Sequence, residues 1–473
     1  MPVRLLLAVF VLAFACGARA APAAYTLRYD ASTRTLAIDA CLADAAGTVR
    51  FVLDDGDGEG LEDFGRDSGA RLEREGNAWR APRWRAGECL HYRAAFARTA
   101  AAARMRGAAM GEDLVTAPQR WLLRIEPAAD DAEVRVELPP GFAMSAPWQP
   151  LPSRDGTLHY RIPKTPPAWL ARVAIGRFAQ QPLSVDGGTL HIAIVGAVTA
   201  DARARLLAWL DGVARAALSA YGRLPLSDVQ VLVVPVPDQR EAVLFGQSTR
   251  GEGHALTLFV DPAQSPAAFA RDWVAVHELA HLMHPYLGDR GAWLAEGLAT
   301  YYQNVLRARA GLLTPAQAWQ QLDAGFRRGR DATPADAPAL GEAAATMGAS
   351  HDFQRIYWSG AAYWLEVDLR LRSAGHPGVD EALRAFAACC LPDHAGWTPE
   401  AFVRRLDALA GTDAFASTWD RYRRRRDFPD LAPAYAALGL VRESEGGRLH
   451  VAASAPAAGV REAIMRPRAA APR

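Results

Sequence analysis

The sequence predicts a multidomain α+β protein, with a β-sandwich-like N-terminal domain at 21–180, an α/β domain at 181–312 and a helical C-terminal domain at 313–440. Three observations predict it. Short alternating runs divided by Gly and Pro turns fill the chain up to about residue 180. Apolar strands then alternate with amphipathic helices to about residue 310, and helical spacing prevails from Thr314 to about Ala437. The 473 residues agree with this division, at roughly 100–200 residues per domain.

The first element is a leader. Arg4, an apolar run from Leu5 to Ala15 and the small-x-small site Ala18-Arg19-Ala20 read as a signal peptide cleaved before Ala21. The expected destination is the periplasm or the exterior. Cys16, after Leu12-Ala13-Phe14-Ala15, is an alternative point of lipid anchoring, against which Phe14 counts. The leader run is shorter than the roughly 20 apolar residues that span a bilayer, and no later segment is apolar enough to do so. With 53 basic and 52 acidic residues the formal charge is +1, which gives no general attraction to nucleic acid. Hydrophobic residues at 50% and charged residues at 22% exclude a disordered chain.

In the N-terminal domain Tyr25-Thr26-Leu27-Arg28-Tyr29, Thr35-Leu36-Ala37-Ile38-Asp39 and Glu133-Val134-Arg135-Val136-Glu137-Leu138 are strands. The acidic stretch Asp54 to Gly60 is an exposed turn and not a calcium loop, because the twelfth position from Asp55 is Arg66, where a bidentate carboxylate is required. Outside the cytoplasm Cys41 and Cys89 are expected to form a disulfide worth about 2–4 kcal/mol, with two buried thiols as the alternative. The Pro163-Lys164-Thr165-Pro166-Pro167 segment closes the domain.

Next come a strand at Leu190–Val195, a helix from Asp201 to Tyr221, and strands at Val229–Val234 and His254–Val260. One helix is expected from Pro266 to Met283, stopped by Pro285, and another from Ala292 to about Ala310. In the C-terminal part Thr314-Pro315 and Thr398-Pro399-Glu400 start helices. Adjacent Cys389 and Cys390 are expected to be packed thiols. Arg423 to Arg426, flanked by acids, is read as a solvated helix end, and 441–473, rich in Ala, Pro and Arg, as a disordered tail.

The chemistry is carried by His277-Glu278-Leu279-Ala280-His281. On a helix the two imidazoles project from one face at the separation a single zinc ion needs, and Glu278 points beside them, placed to take a proton from water. Trp293-Leu294-Ala295-Glu296-Gly297-Leu298-Ala299-Thr300-Tyr301-Tyr302 follows after a short connector. Glu296 can complete a His277, His281, Glu296 ligand set with one position left open. His284 is read as an outer partner of the site or a helix C-terminal charge, and Thr300 as an outer partner of Glu296.

These two motifs resemble the gluzincin zinc metallopeptidases, most closely the glycyl aminopeptidase family and next the membrane alanyl aminopeptidase and leukotriene A4 hydrolase family. A third segment, Ile356-Tyr357-Trp358-Ser359-Gly360-Ala361, resembles their Y-x-K-G-A helix start. The resemblance implies a thermolysin-like catalytic domain, zinc as cofactor, a peptide or protein substrate, Glu278 as base and then acid, and Tyr357 as the oxyanion donor. Ser359 departs from the family's lysine, and 14 residues between His281 and Glu296 make a shorter connector than the alanyl enzymes have. Aminopeptidases of this clan hold the substrate's α-ammonium with a glutamate on a glycine-rich strand, and Glu252 in Gly251-Glu252-Gly253-His254 is the residue that resemblance offers for substrate binding. Two rivals stay open: an inactive zinc- and peptide-binding envelope protein, and a zinc hydrolase of a non-peptide substrate.

Overall fold

Strand Ala23–Asp30 opens the chain, its inward side chains alternating with exposed ones. It pairs antiparallel with Thr35–Cys41 and parallel with Ala132–Glu137 at the centre of a seven-stranded sheet. A four-stranded sheet containing Gly47–Val52 and Ala78–Trp84 lies over it. Leu27, Leu36 and Ile38 of the first sheet share one core with Phe51, Trp79 and Ile125 of the second, which makes a sandwich. In this computed structural model the described residues are 23–96, 111–126, 131–153, 156–391, 396–443 and 447–466. The leader, its cleavage site and Cys16 lie outside them.

Cys41 and Cys89 face each other on paired strands and are joined by a disulfide. The acidic turn is neutralised from the neighbouring segment, Asp54 by Arg124 at 3.0 Å and Asp55 by Arg120 at 2.8 Å.

The middle of the chain builds a five-stranded mixed sheet in the order 180–185, 188–194, 228–235, 255–260, 243–249. The strands Asp228–Pro235 and Ala255–Val260 are buried on both faces, because helices cover one side and a small sheet of the N-terminal domain covers the other. Val115 and Ala174 of that small sheet pack on Leu232, Val234 and Phe259. The helix Ala200–Tyr221, capped by the Thr199 side chain and closed by Gly222 at φ 76°, lies on the opposite face. The edge strand Val243–Thr249 was not foreseen, since its sequence Val-Leu-Phe-Gly-Gln-Ser-Thr does not alternate.

The single helix expected from Pro266 to Met283 is corrected to three pieces: Pro266–Arg271, Val274–Ala280 and a 3-10 turn His281–Met283. Asp272 is the cause. It takes an extended conformation, and its Oδ1 accepts a hydrogen bond from Val274 N at 2.8 Å, so it stops one helix and caps the next.

The helices Ala292–Arg309 and Phe353–Ser373 form the spine of the helical half. They cross at Gly297 and Gly360, with no room for a side chain at either. A Cβ on Gly360 would lie 1.9 Å from Trp293 O, and one on Gly297 would lie 2.3 Å from the Gly360 carbonyl carbon. Both glycines belong to the motifs that carry Glu296 and Tyr357, so their presence is set by helix approach.

Two expectations for the C-terminal part are corrected. Cys389 and Cys390 form a disulfide: the helix ends at Cys389 and Cys390 leaves helical geometry, which lets the neighbouring sulfurs meet. The segment read as a disordered tail is ordered over 447–466. Leu449–Val451 pairs with Leu440–Arg442, and the helix Ala458–Met465 buries Ile464 and Met465. Buried Arg309 ties it down through Nε to Ile464 O at 2.8 Å. Two apolar anchors among alanines and prolines are too weak a pattern to read from composition.

Candidate metal centre and active-site cleft

His277 and His281 sit one turn apart at the end of the helix Val274–Ala280 and in the turn after it, both buried. Glu296 enters from the start of the second turn of Ala292–Arg309. His277 Nε2 and His281 Nε2 stand 3.2 and 3.4 Å from Glu296 Oε2. Ligands held about 2.0–2.1 Å from a tetrahedral zinc are about 3.3 Å apart, so this donor set fits that ion. It is the one His, Cys, Asp and Glu group of this kind among the described residues.

Outer hydrogen bonds orient both rings. His277 Nδ1 meets Gln303 Oε1 at 2.8 Å, and since an amide oxygen only accepts, Nδ1 carries the proton and Nε2 offers its lone pair. His281 Nδ1 lies 3.1 Å from His284 Nε2, while His284 Nδ1 donates to Pro285 O at 2.7 Å. That relay again leaves Nε2 of His281 free to bind metal. Burial, reinforced by Arg250, holds His284 well below the ordinary imidazole range, so it is a neutral orienting group and not a helix C-terminal charge. Half-buried Arg250 donates to the carbonyls of His281 and His284 and pins the end of the helix. Burial would raise the Glu296 carboxyl, but His281 and His277 outweigh it and hold the group well below the usual carboxylate range.

Glu278 is anchored from the edge strand. Its Oε2 accepts from Ser248 N at 2.8 Å and from Ser248 Oγ at 3.0 Å. Gly246 makes this approach possible, since a Cβ there would lie 2.6 Å from Glu278 Cγ. One carboxylate oxygen is thereby fixed, and the residue lines the cleft.

Tyr357 stacks on His277 at 6.0 Å between ring centroids. Burial, with Glu296 next, pushes its phenol far above the ordinary range, so it stays a neutral donor. His277, Glu278, His281, His284, Glu296, Tyr357, Ser248 and Arg250 line one open cleft of about 530 Å³. Its rim includes Leu244, Phe245, Trp273 and Tyr286, four large apolar side chains left exposed, which marks a binding surface.

Other sequence-derived assignments fall elsewhere. Glu252 does not reach the cleft. Its Oε2 accepts from Trp148 Nε1 at 2.7 Å, and it lines a separate cavity with Tyr25, Lys164 and Trp169. The physical reason is its flanking glycines, which press the turn onto the N-terminal domain: a Cβ at Gly251 would lie 2.2 Å from Trp169 O, and one at Gly253 1.9 Å from Pro147 O. Burial there pushes the Glu252 carboxyl up to about 7. Thr300 is not an outer partner of Glu296, for its buried hydroxyl has no hydrogen bond among the described residues. Gln303 does that work instead, on His277. Ser359 is buried in the helix interface at 2% exposure and does not line the cleft.

Gln303 and Ser248 were missed by sequence reasoning. Gln303 lies two helical turns beyond Glu296 and so on the same face, which is a usable signal. Ser248 had none, because its strand was not recognised.

Residues 274–360 match the M61 glycyl aminopeptidase family. The match spans the metal helix, the glutamate helix and the start of the tyrosine helix, where the motif resemblance to glycyl aminopeptidases was found. No curated protein matches the chain. Among solved structures, an aminopeptidase N family protein from Idiomarina loihiensis is similar with a TM-score of 0.66 and 14% identity, covering 92% of this chain and 82% of that one. The M1 zinc metallopeptidase from Deinococcus radiodurans follows at TM-score 0.51 and 16% identity, covering 87% and 94%. A Glu→Ala variant of that peptidase, bound to a Tyr-Ser-Ala substrate, gives 0.50 at 15% identity. At such identities the likeness is one of fold, a mixed α+β architecture with a β-rich N-terminal region and a helical C-terminal part.

Proposed function

We propose that this chain is an exported zinc-dependent metallopeptidase that hydrolyses peptide bonds in the cleft between the edge strand Val243–Thr249 and the two metal helices. The observation that carries the reading is the convergence of His277 Nε2, His281 Nε2 and Glu296 Oε2 at tetrahedral spacing, with Glu278 anchored beside them. His277, His281 and Glu296 would hold the ion in the manner of a thermolysin-like site. Zinc at such a site supplies Lewis acidity toward water and a carbonyl oxygen.

The chain's own residues do the rest. Glu278 takes the proton of the attacking water on its free oxygen and returns it to the departing amine nitrogen. Ser248 keeps that carboxylate in place through both transfers. Tyr357 donates a hydrogen bond to the carbonyl oxygen as negative charge develops on it. Exposed Phe245, Trp273 and Tyr286 along the rim suit an extended peptide, which has apolar side chains to bury.

The intact Glu278 and its dedicated anchor argue against an inactive binding protein, which has no need of a base. With Glu252 in another cavity, the aminopeptidase assignment has no amine-binding carboxylate from the sequence motif to rest on, and peptide hydrolysis is the reading supported. Export rests on the leader sequence alone.

The test is cleavage of a mixed-sequence peptide library, in free and N-acetylated forms, by purified mature protein. Cleavage is expected to fall to background with a zinc chelator and to return on adding zinc. Zinc-loaded protein that binds peptides without cutting them, or that cuts only esters, would overturn the proposal in favour of one of the two rivals.

A further inference from the structure

Behind the His277 side of the cleft lies a second cavity of about 430 Å³. It shares Trp273 and Tyr357 with the first, and its wall includes Gln303, the hydrogen-bond partner of His277. Its charged lining is all of one sign: Arg271, Arg307 and Arg328 contribute, and no acidic residue does.

Arg307 is the telling member. It is 1% exposed, and its terminal nitrogens are held by Gln321 Oε1 at 3.2 Å and Arg271 O at 2.6 Å, both neutral acceptors. Its Nε has no hydrogen-bond partner among the described residues, nor has the Thr300 hydroxyl in the same wall. Arg328 rests on the Trp358 ring at 5.1 Å. None of the three arginines forms a salt bridge among the described residues. Burial lowers Arg307 from the ordinary guanidinium range, Asp272 partly opposing this, while Arg271 and Arg328 lie at the exposed side of the cavity. A desolvated positive charge with no salt-bridge partner in contact is costly, and a carboxylate that reached it would form charge-assisted hydrogen bonds.

We propose that this cavity is a subsite for a substrate carboxylate, so that the peptides preferred are those carrying an acidic side chain or a free C-terminal carboxylate close to the scissile bond. The proposal rests on the peptidase reading of the adjoining cleft. Both carboxylates offer the same planar pair of acceptors to a guanidinium, and the experiment separates the two sources.

Matched peptides that differ only in Glu against Gln at each position around the cut, and in free against amidated C-termini, would be compared on zinc-loaded full-length protein. The expected result is about tenfold higher kcat/KM, carried by KM, for the charged member of one pair, as one charge-assisted hydrogen bond provides. Preference in a Glu/Gln pair assigns a side-chain subsite, and preference in the C-terminal pair assigns recognition of the chain end. In Arg328→Gln and Arg307→Gln the ratio should fall toward one. Because the ratio is internal to each protein, partial misfolding of the Arg307 variant does not imitate this outcome.

Binding of the same pairs to the Glu278→Gln protein, read by tryptophan fluorescence, is independent of turnover. Tighter binding of the charged member with no cleavage by the wild-type protein would sustain the subsite while removing the peptidase reading. A ratio of one for every pair, or a preference undiminished in both arginine variants, would overturn the subsite while cleavage itself stands.

Discussion

Glu278→Gln is expected to lower kcat by about 10²–10⁴-fold while zinc content and KM stay close to those of the wild-type protein. Glutamine keeps the shape of the side chain, and its amide oxygen can still accept from Ser248 N and Oγ, the two contacts that fix Glu278 Oε2. The amide has no basicity with which to take a proton from water. The metal ligands are untouched, because Glu278 is not one of the converging donors His277, His281 and Glu296. The measurement is steady-state hydrolysis of a cleaved library peptide with metal content determined on the same sample. A variant within threefold of wild-type kcat would remove Glu278 from the mechanism.

The second large effect is expected from Gly360→Ala, a change of one methyl group with no functional atom in it. That methyl would overlap Trp293 O at 1.9 Å and Gly297 Cα at 2.7 Å. These are backbone atoms that cannot rotate away, so the helices Ala292–Arg309 and Phe353–Ser373 must separate. Overpacking of this kind costs about 1–3 kcal/mol or more. The displacement acts on both sides of the cleft, since Glu296 adjoins Gly297 and Tyr357 lies one turn before Gly360. Lower thermal stability together with reduced kcat/KM is the expected result. Gly212→Ala, on the helix Ala200–Tyr221 with nothing within 4 Å of the added methyl, is the control, and it should be neutral or stabilising by about 0.5–1 kcal/mol. Equal effects of the two substitutions would show that helix approach is not what fixes Gly360.

The parts of this site that follow helical periodicity were legible in the sequence. Imidazoles four residues apart on one helix, and a glutamate near the start of the next, need only the 3.6-residue repeat and a short connector to be brought together. The strands of the N-terminal sandwich announced themselves by alternation. What stayed hidden depends on contacts between distant segments. Ser248 reaches Glu278 because an edge strand with an irregular pattern passes the metal helix, with a glycine at the point of approach.

Glu252 shows the converse error. A glycine-flanked glutamate in the right stretch of sequence looked like a substrate ligand, yet the same glycines dock its turn on the N-terminal domain, away from the cleft. The break at Asp272 was concealed because apolar residues continue at helical spacing on both sides of it, and only the side-chain cap reveals two helices. Ile464 and Met465 show how two buried residues can order a segment whose composition argues for disorder.

The claim on which the account depends is that His277, His281 and Glu296 bind one zinc ion. The direct measurement is metal content by elemental analysis of the purified mature protein beside His281→Ala, which loses one ligand and breaks the relay to His284. About one zinc per chain in the wild-type protein and a marked loss in the variant is the predicted result. A folded wild-type protein that holds no zinc after zinc has been supplied, or a variant that holds as much as the wild type, would contradict it.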